Sequence, residues 1–171
     1  MMSKKLDKSS GFSSYNHDEI IDNELKKHFK KYKINGLDII KNSTIYIRRA
    51  NLKRFLLHTE LFKKTINLPG DIAEFGVYRG LGLMTWANLL ESYSIGNRTK
   101  IVFGFDNWKG FESFSKYDGL KSKKSGKIRG GFNPKKFKTE LLSAINIFDK
   151  DRFVGWKPRI RLVDGDVSKT F

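Results

Sequence analysis

An acidic residue inside an apolar strand, followed at once by a glycine-bearing bend, is the stretch of this sequence best suited to chemistry. Residues 72–77 read Ile-Ala-Glu-Phe-Gly-Val, and the bend continues as Tyr78-Arg79-Gly80-Leu81-Gly82. Gly76 lets backbone approach a ligand with no Cβ in the way, and Gly80 and Gly82 permit a tight turn. A helix leaving such a bend offers free N–H groups to a carboxylate or phosphate. An ionised Glu74 within the strand is costly unless it has a partner. That partner is either a ligand ammonium or a nearby arginine such as Arg79. Two further acids stand in equivalent places. Asp106 follows the apolar run 101–105, where its carboxylate accepts two ribose hydroxyls or closes an Asx turn. Asp166 follows the run 159–163. In a parallel sheet these strand ends share one edge, the usual ligand crevice.

Spacing separates two cofactor classes. Nicotinamide-binding units carry G-x-G-x-x-G with an acid roughly 20 residues further on. Here the pattern is E-x-G-x-x-x-G, and Asp106 lies 30 positions past Gly76, so a dinucleotide fits poorly. No G-K-S/T follows the glycines, which excludes a Walker-type loop.

The elements that must hold these residues follow from periodicity. Residues 1–17 read as a frayed lead-in. Ile21, Leu25, Phe29 and Tyr32 predict a helix over 18–32 with Asp18 as its N-cap, and Asn35-Gly36 marks a break. A second helix is predicted over 49–66, with Leu52, Phe55, Leu56, Thr59, Phe62 and Ile66 on one face. Leu68-Pro69-Gly70-Asp71 is a turn. Strands are then predicted at 72–77, 101–105 and 159–163, with helices over 83–93 and from Asn133-Pro134 through Phe137, Leu141, Ile145 and Phe148. Helices followed by β-α-β-α-β argue for an α/β fold with a parallel sheet. Three strands are one half of a doubly wound, Rossmann-like sheet. The organisation expected is an N-terminal extension with a helix over 1–48 and a partial Rossmann-like domain over 49–171. The chain therefore reads as the N-terminal portion of a longer protein, active or inactive, unless the missing half of the sheet comes from elsewhere.

Composition narrows the classes. The chain has 171 residues, no Cys, 14 Phe and a net charge of +16. Without Cys there are no disulfides and no thiolate metal sites. The aromatic content argues against a disordered chain. The first residues lack an apolar signal region, and no uncharged run approaches a membrane span. A cytoplasmic protein is the expectation. The charge raises nucleic acid as a partner, and a nucleic-acid-binding or RNA-modifying module is the competing reading. Against it, 25 of the 34 basic residues are Lys, whereas Arg is the more specific reader of phosphates and bases. Eight basic residues and no acid fall within 121–138. This segment is a solvated loop or an anion-attracting rim. His17, His28 and His58 precede the sheet and read as surface or helix-packing residues.

Three stretches resemble class I S-adenosylmethionine-dependent methyltransferases, and more narrowly the macrocin O-methyltransferase (TylF/MycF-like) family. They are residues 69–80 (PGDIAEFGVYRG), 102–111 (VFGFDNWKGF) and 162–171 (LVDGDVSKTF). The resemblance implies that Glu74, Gly76 and Gly80 line the methionine end of the cofactor and that Asp106 holds the ribose. It implies that Gly165, Asp166 and Val167 border the adenine, with Phe75, Val77, Tyr78 and Asn107 completing the cofactor set. By the same resemblance Arg79 and Tyr78 would contact the cofactor carboxylate or the substrate; Lys124 and Arg129 are substrate candidates from the charge of the basic segment instead. The implied activity is methylation of a hydroxyl on a sugar or related small molecule; the basic segment 121–138, read as a lid, would favour an anionic acceptor such as a nucleotide-sugar. Family members acting on sugars use a divalent metal such as Mg, whose ligands and catalytic base lie beyond the third strand. None is assigned in this chain. A homo-oligomer is compatible with the resemblance.

Overall fold

The computed structural model describes residues 4–6, 13–115, 117 and 128–170, with side chains from residue 19 onward. Its centre is a three-stranded parallel sheet, Rossmann-like, in the order β3 (Ile72–Phe75), β4 (Val102–Asp106), β5 (Ile160–Asp164). The register aligns Ala73 with Phe103 and Arg161, and Phe75 with Phe105 and Val163. Side chains alternate across a strand. Ile72, Val102, Ile160 and Leu162 therefore face the core, against α5 (Leu81–Tyr93) and α6 (Lys135–Asp151). Leu83, Ala87 and Leu90 on α5 and Leu141 and Ile145 on α6 complete that core. Gly104 belongs on this face because a Cβ there would come within 2.8 Å of Val77 and 2.9 Å of Leu83.

The helical stripe expected on α6 is the one that packs. Its entry differs by one residue: Asn133 Oδ1 accepts the Lys135 N–H at 3.0 Å, with Pro134 buried between them. The strands lie close to their predicted spans, and α5 begins two residues early because Gly80, at φ 87°, already turns the chain into it.

The N-terminal region departs more from expectation. Lys4–Leu6 (β1) and Ser13–Tyr15 (β2) form a short antiparallel pair within the expected lead-in. Helix α1 (Asn16–Lys31) follows directly, two residues ahead of the predicted cap. Asn35-Gly36 breaks one helix and starts another, α2 (Gly36–Lys41). Asn35 Oδ1 accepts the Leu37 and Asp38 N–H groups, and Asp38 accepts the Asn35 N–H in return, a capping box. After α3 (Ser43–Tyr46), helix α4 (Arg49–Thr65) reaches the core through its C-terminal half. Phe62 is 2% exposed, while Leu52, Phe55 and Leu56 of the predicted stripe stay exposed. Amphipathic spacing determines which face is able to pack; it does not supply the surface to pack against.

A buried ionic cluster ties the sheet's other end together. Glu91 of α5 accepts from Arg152 at 2.7 Å and from Arg159 at 2.6 Å, and Asp149 of α6 also pairs with Arg152. The Arg159 guanidinium further donates to the Lys100 and Asn97 carbonyls ahead of β4.

Candidate functional site

The three parallel strands all end at one edge, and the loops leaving them build a cavity of about 420 Å³. Gly76, at φ 82°, turns the chain out of β3 while its N–H still bonds the Phe105 carbonyl. A Cβ on Gly76 would meet nothing within 4 Å, so open space lies in front of that backbone. Two residues on, Tyr78 holds a left-handed φ of 54°, rare for a bulky side chain. Its N–H donates to Asp106 Oδ2 at 2.9 Å.

Asp106 is the hub. Its Oδ1 accepts the Trp108 N–H at 2.8 Å, and its carbonyl accepts the Gly165 N–H at 3.0 Å. One side chain thus joins the loops after β3 and β4, and its backbone reaches the loop after β5. Each carboxylate oxygen retains a lone pair, because a carboxylate offers about four acceptor sites. Asp166 starts the short helix α7 (Val167–Thr170) by accepting the Ser168 N–H and hydroxyl. Those two bonds hold its carboxyl below the usual aspartate range.

Of the residues singled out by sequence, Phe75, Gly76, Tyr78, Asp106 and Asn107 line the cavity, as do Gly165, Asp166 and Val167. The others sit elsewhere. Val77 is buried in the core. Gly80 packs on Leu141, which a Cβ would strike. Arg79 pairs with Glu140 of α6 at 2.8 Å and lies over the Phe137 ring. It is therefore not the partner of Glu74. The Glu74 carboxylate turns beneath the first turn of α5, in the space that Gly82 leaves open. Burial pushes its pKa up; hydrogen bonds from Trp86 and the Leu83 N–H, with the charges of His58 and Arg54, oppose the rise. In effect Glu74 caps α5, whose N-cap glycine has no side chain to do so. Arg129 is exposed and does not line the cavity, and Lys124 lies outside the described residues. His58 packs tilted against Trp86 with ring centres 4.5 Å apart, and His28 packs against Tyr32 and Tyr46. His17's side chain is outside the described set.

The chain is similar in fold to CalS11, a calicheamicin methyltransferase. The TM-score is 0.79 at 26% identity, over 92% of this chain and 61% of that one. An apo structure of CalS11, named there as TDP-rhamnose 3′-O-methyltransferase, matches at TM-score 0.67 and 23% identity, over 92% of this chain and 58% of that one. The chain thus spans about three-fifths of the length of these solved structures. No family model matches it, and no curated protein does. The likeness to CalS11 shows a shared Rossmann-like fold.

Other lining residues were not singled out by sequence. Phe111 and Phe132 form apolar walls, with Phe105 of β4. Glu112 adds a third carboxylate beside Asp106 and Asp166, and pairs with Lys109 at 3.2 Å. Among the described residues, no Lys or Arg lines the cavity. A cavity rimmed by acids in a chain of net charge +16 runs against the overall field. Glu112 and Phe132 come from loop residues, where no periodicity marks them; the Gly110-Phe111 pair after Asp106 was the one available signal. Among the described residues, no group of three or more His, Asp or Glu is set to hold a metal ion. Among them also, no helix is long and apolar enough to cross a membrane.

Proposed function

We propose that the cavity binds S-adenosylmethionine and that the chain is the cofactor-binding part of an O-methyltransferase acting on a sugar hydroxyl. The observation that carries this reading is the acidic lining. Among the described residues, Asp106, Glu112 and Asp166 line the cavity and no Lys or Arg does, which suits a cationic sulfonium nucleoside. It opposes phosphate-bearing dinucleotides and nucleic acid. The resemblance of residues 69–80, 102–111 and 162–171 to methyltransferases supports the same ligand. So does the fold shared with CalS11. The sugar as acceptor class rests on the resemblance and on the name CalS11 carries.

In this reading Asp106 accepts the two ribose hydroxyls with the lone pairs that Tyr78 and Trp108 leave open. Phe75, Phe105, Phe111 and Phe132 give the base apolar walls and keep water from it. Gly76 lets the backbone approach the amino-acid end without a Cβ. When bound, the cofactor supplies a methyl group activated by its positive sulfur. The chain's own contribution is to hold that group in one orientation, which lowers the entropic cost of the transfer. Residues 49–171 carry these elements.

Calorimetry with S-adenosylmethionine tests the reading. The wild-type chain is expected to bind, and Asp106→Ala to weaken binding about 100-fold, as two hydrogen bonds to a charged group are lost. Heparin, as a polyanion, is expected not to compete. Absence of binding, equal affinity in Asp106→Ala, or displacement by heparin would each overturn it.

A further inference from the structure

Trp108 takes no part in lining the cavity, yet it is the most constrained residue of the turn after β4. It is 6% exposed and sits at φ 57°, a conformation bulky residues rarely adopt. Such a conformation persists only where the surroundings over-determine it. Here they do so from three sides. The Trp108 N–H donates to Asp106 Oδ1. Its indole Nε1–H donates to Asp164 Oδ1 at 2.7 Å, at the end of β5. Lys138 of α6 lies over the ring at 5.4 Å and pairs with Asp164 Oδ2. Asn107 braces the same turn by accepting the Lys109 N–H and donating to the Gly110 carbonyl.

We infer that Trp108, Asp164 and Lys138 form a lock that fixes the Asp106 carboxylate in the orientation that reads ribose hydroxyls. This rests on the proposed nucleoside site and deepens it. None of the three lines the cavity, so they are positioning residues. The chemistry is specific. An indole N–H reaches the neighbouring strand end, where a phenyl ring has no donor. The Lys138 pair leaves Asp164 Oδ1 aimed at the indole and satisfies its other oxygen. With the ring held, the Trp108 N–H is held, and so is the lone-pair direction Asp106 leaves for ligand. If the ring swings free, the left-handed turn relaxes and Asp106 loses one of its two braces.

A pure folding role would weaken every ligand of the cavity alike; the lock predicts a loss confined to ligands that carry ribose hydroxyls. The test compares adenosine with 2′,3′-dideoxyadenosine by ligand-observed NMR on the whole chain. In the wild type adenosine is expected to bind at least tenfold tighter than the dideoxy compound. Trp108→Phe is expected to weaken adenosine about tenfold and to change the dideoxy compound less than twofold. Asp164→Ala, at a largely exposed side chain, is expected to reproduce that loss. Asp164→Asn keeps one acceptor for the indole but gives up the Lys138 pair, and is expected to restore part of the affinity. Equal losses for both ligands, unchanged adenosine binding in both Trp108→Phe and Asp164→Ala, or no rescue by Asp164→Asn would overturn the lock. A wild type that does not distinguish the two nucleosides would overturn the ribose role of Asp106 itself, and the lock with it.

Discussion

Glu74 is a carboxylate that the fold holds against its charged form. Desolvation is the main cause of its raised pKa, and the bonds from Trp86 and Leu83 only partly offset it. The folded chain therefore keeps the Glu74 proton to higher pH than the unfolded chain, whose carboxyl titrates near 4.5. Stability falls as pH rises wherever the folded state binds more protons. The contribution of this group is thus fully favourable below the unfolded value and is lost as pH climbs through the folded one. Glu74→Gln removes that slope while keeping an acceptor for Leu83. Urea titrations from acid to neutral pH are expected to show the variant gaining on the wild type as pH rises. A constant difference would mean that Glu74 ionises as freely as in the unfolded chain. The same residue shows where sequence stops. Gly76, Asp106 and Asp166 were legible because a glycine or an acid just past an apolar run lands on the strand-end rim whatever the rest does. Which partner Glu74 takes depends on the α5 backbone and on α4, and spacing along one strand carries no record of either.

At the level of elements, the end of the sheet away from the cavity is held by charge inside the core. Arg159 is 2% exposed and its carboxylate partner is Glu91, which Arg152 shares while also pairing with Asp149. Removing one partner of a buried ion pair leaves an uncompensated charge and costs about 3–5 kcal/mol. Glu91→Ala is expected to lose stability on that scale, read as a lower urea midpoint with an unchanged slope. A loss under about 1 kcal/mol would mark the cluster as solvated, like a surface pair. This cluster was not visible in the sequence, because its acid and its arginines lie 61 and 68 positions apart. The strands and α6 were visible, since apolar runs and a clean stripe at helical spacing respond to a core they themselves create. The six residues of α2 were too few for any periodic window, and its capping box emerged only from the hydrogen bonds of Asn35 and Asp38.

For the whole molecule, two features pull against each other. Among the described strands β3 pairs only with β4, and a strand at the edge of a sheet is a template for pairing with another chain. Helices α2 and α4 expose Leu37, Ile40, Leu52, Leu56, Leu57 and Leu61, more than scattered surface apolars require. Opposing this is the net charge of +16, which keeps copies apart by self-repulsion. Salt weakens the second feature and not the first, because the screening length falls from about 10 Å at 0.1 M to about 3 Å at 1 M. Sedimentation velocity across that range is expected to show the chain shifting from smaller to larger species as salt rises. Lys in place of Leu57 and Leu61 is expected to suppress the shift, since added charge on an apolar face blocks packing without touching the cavity. Association that weakened with salt would instead assign the contact to ion pairs between copies, and the exposed apolar residues and the β3 edge would have no part in it.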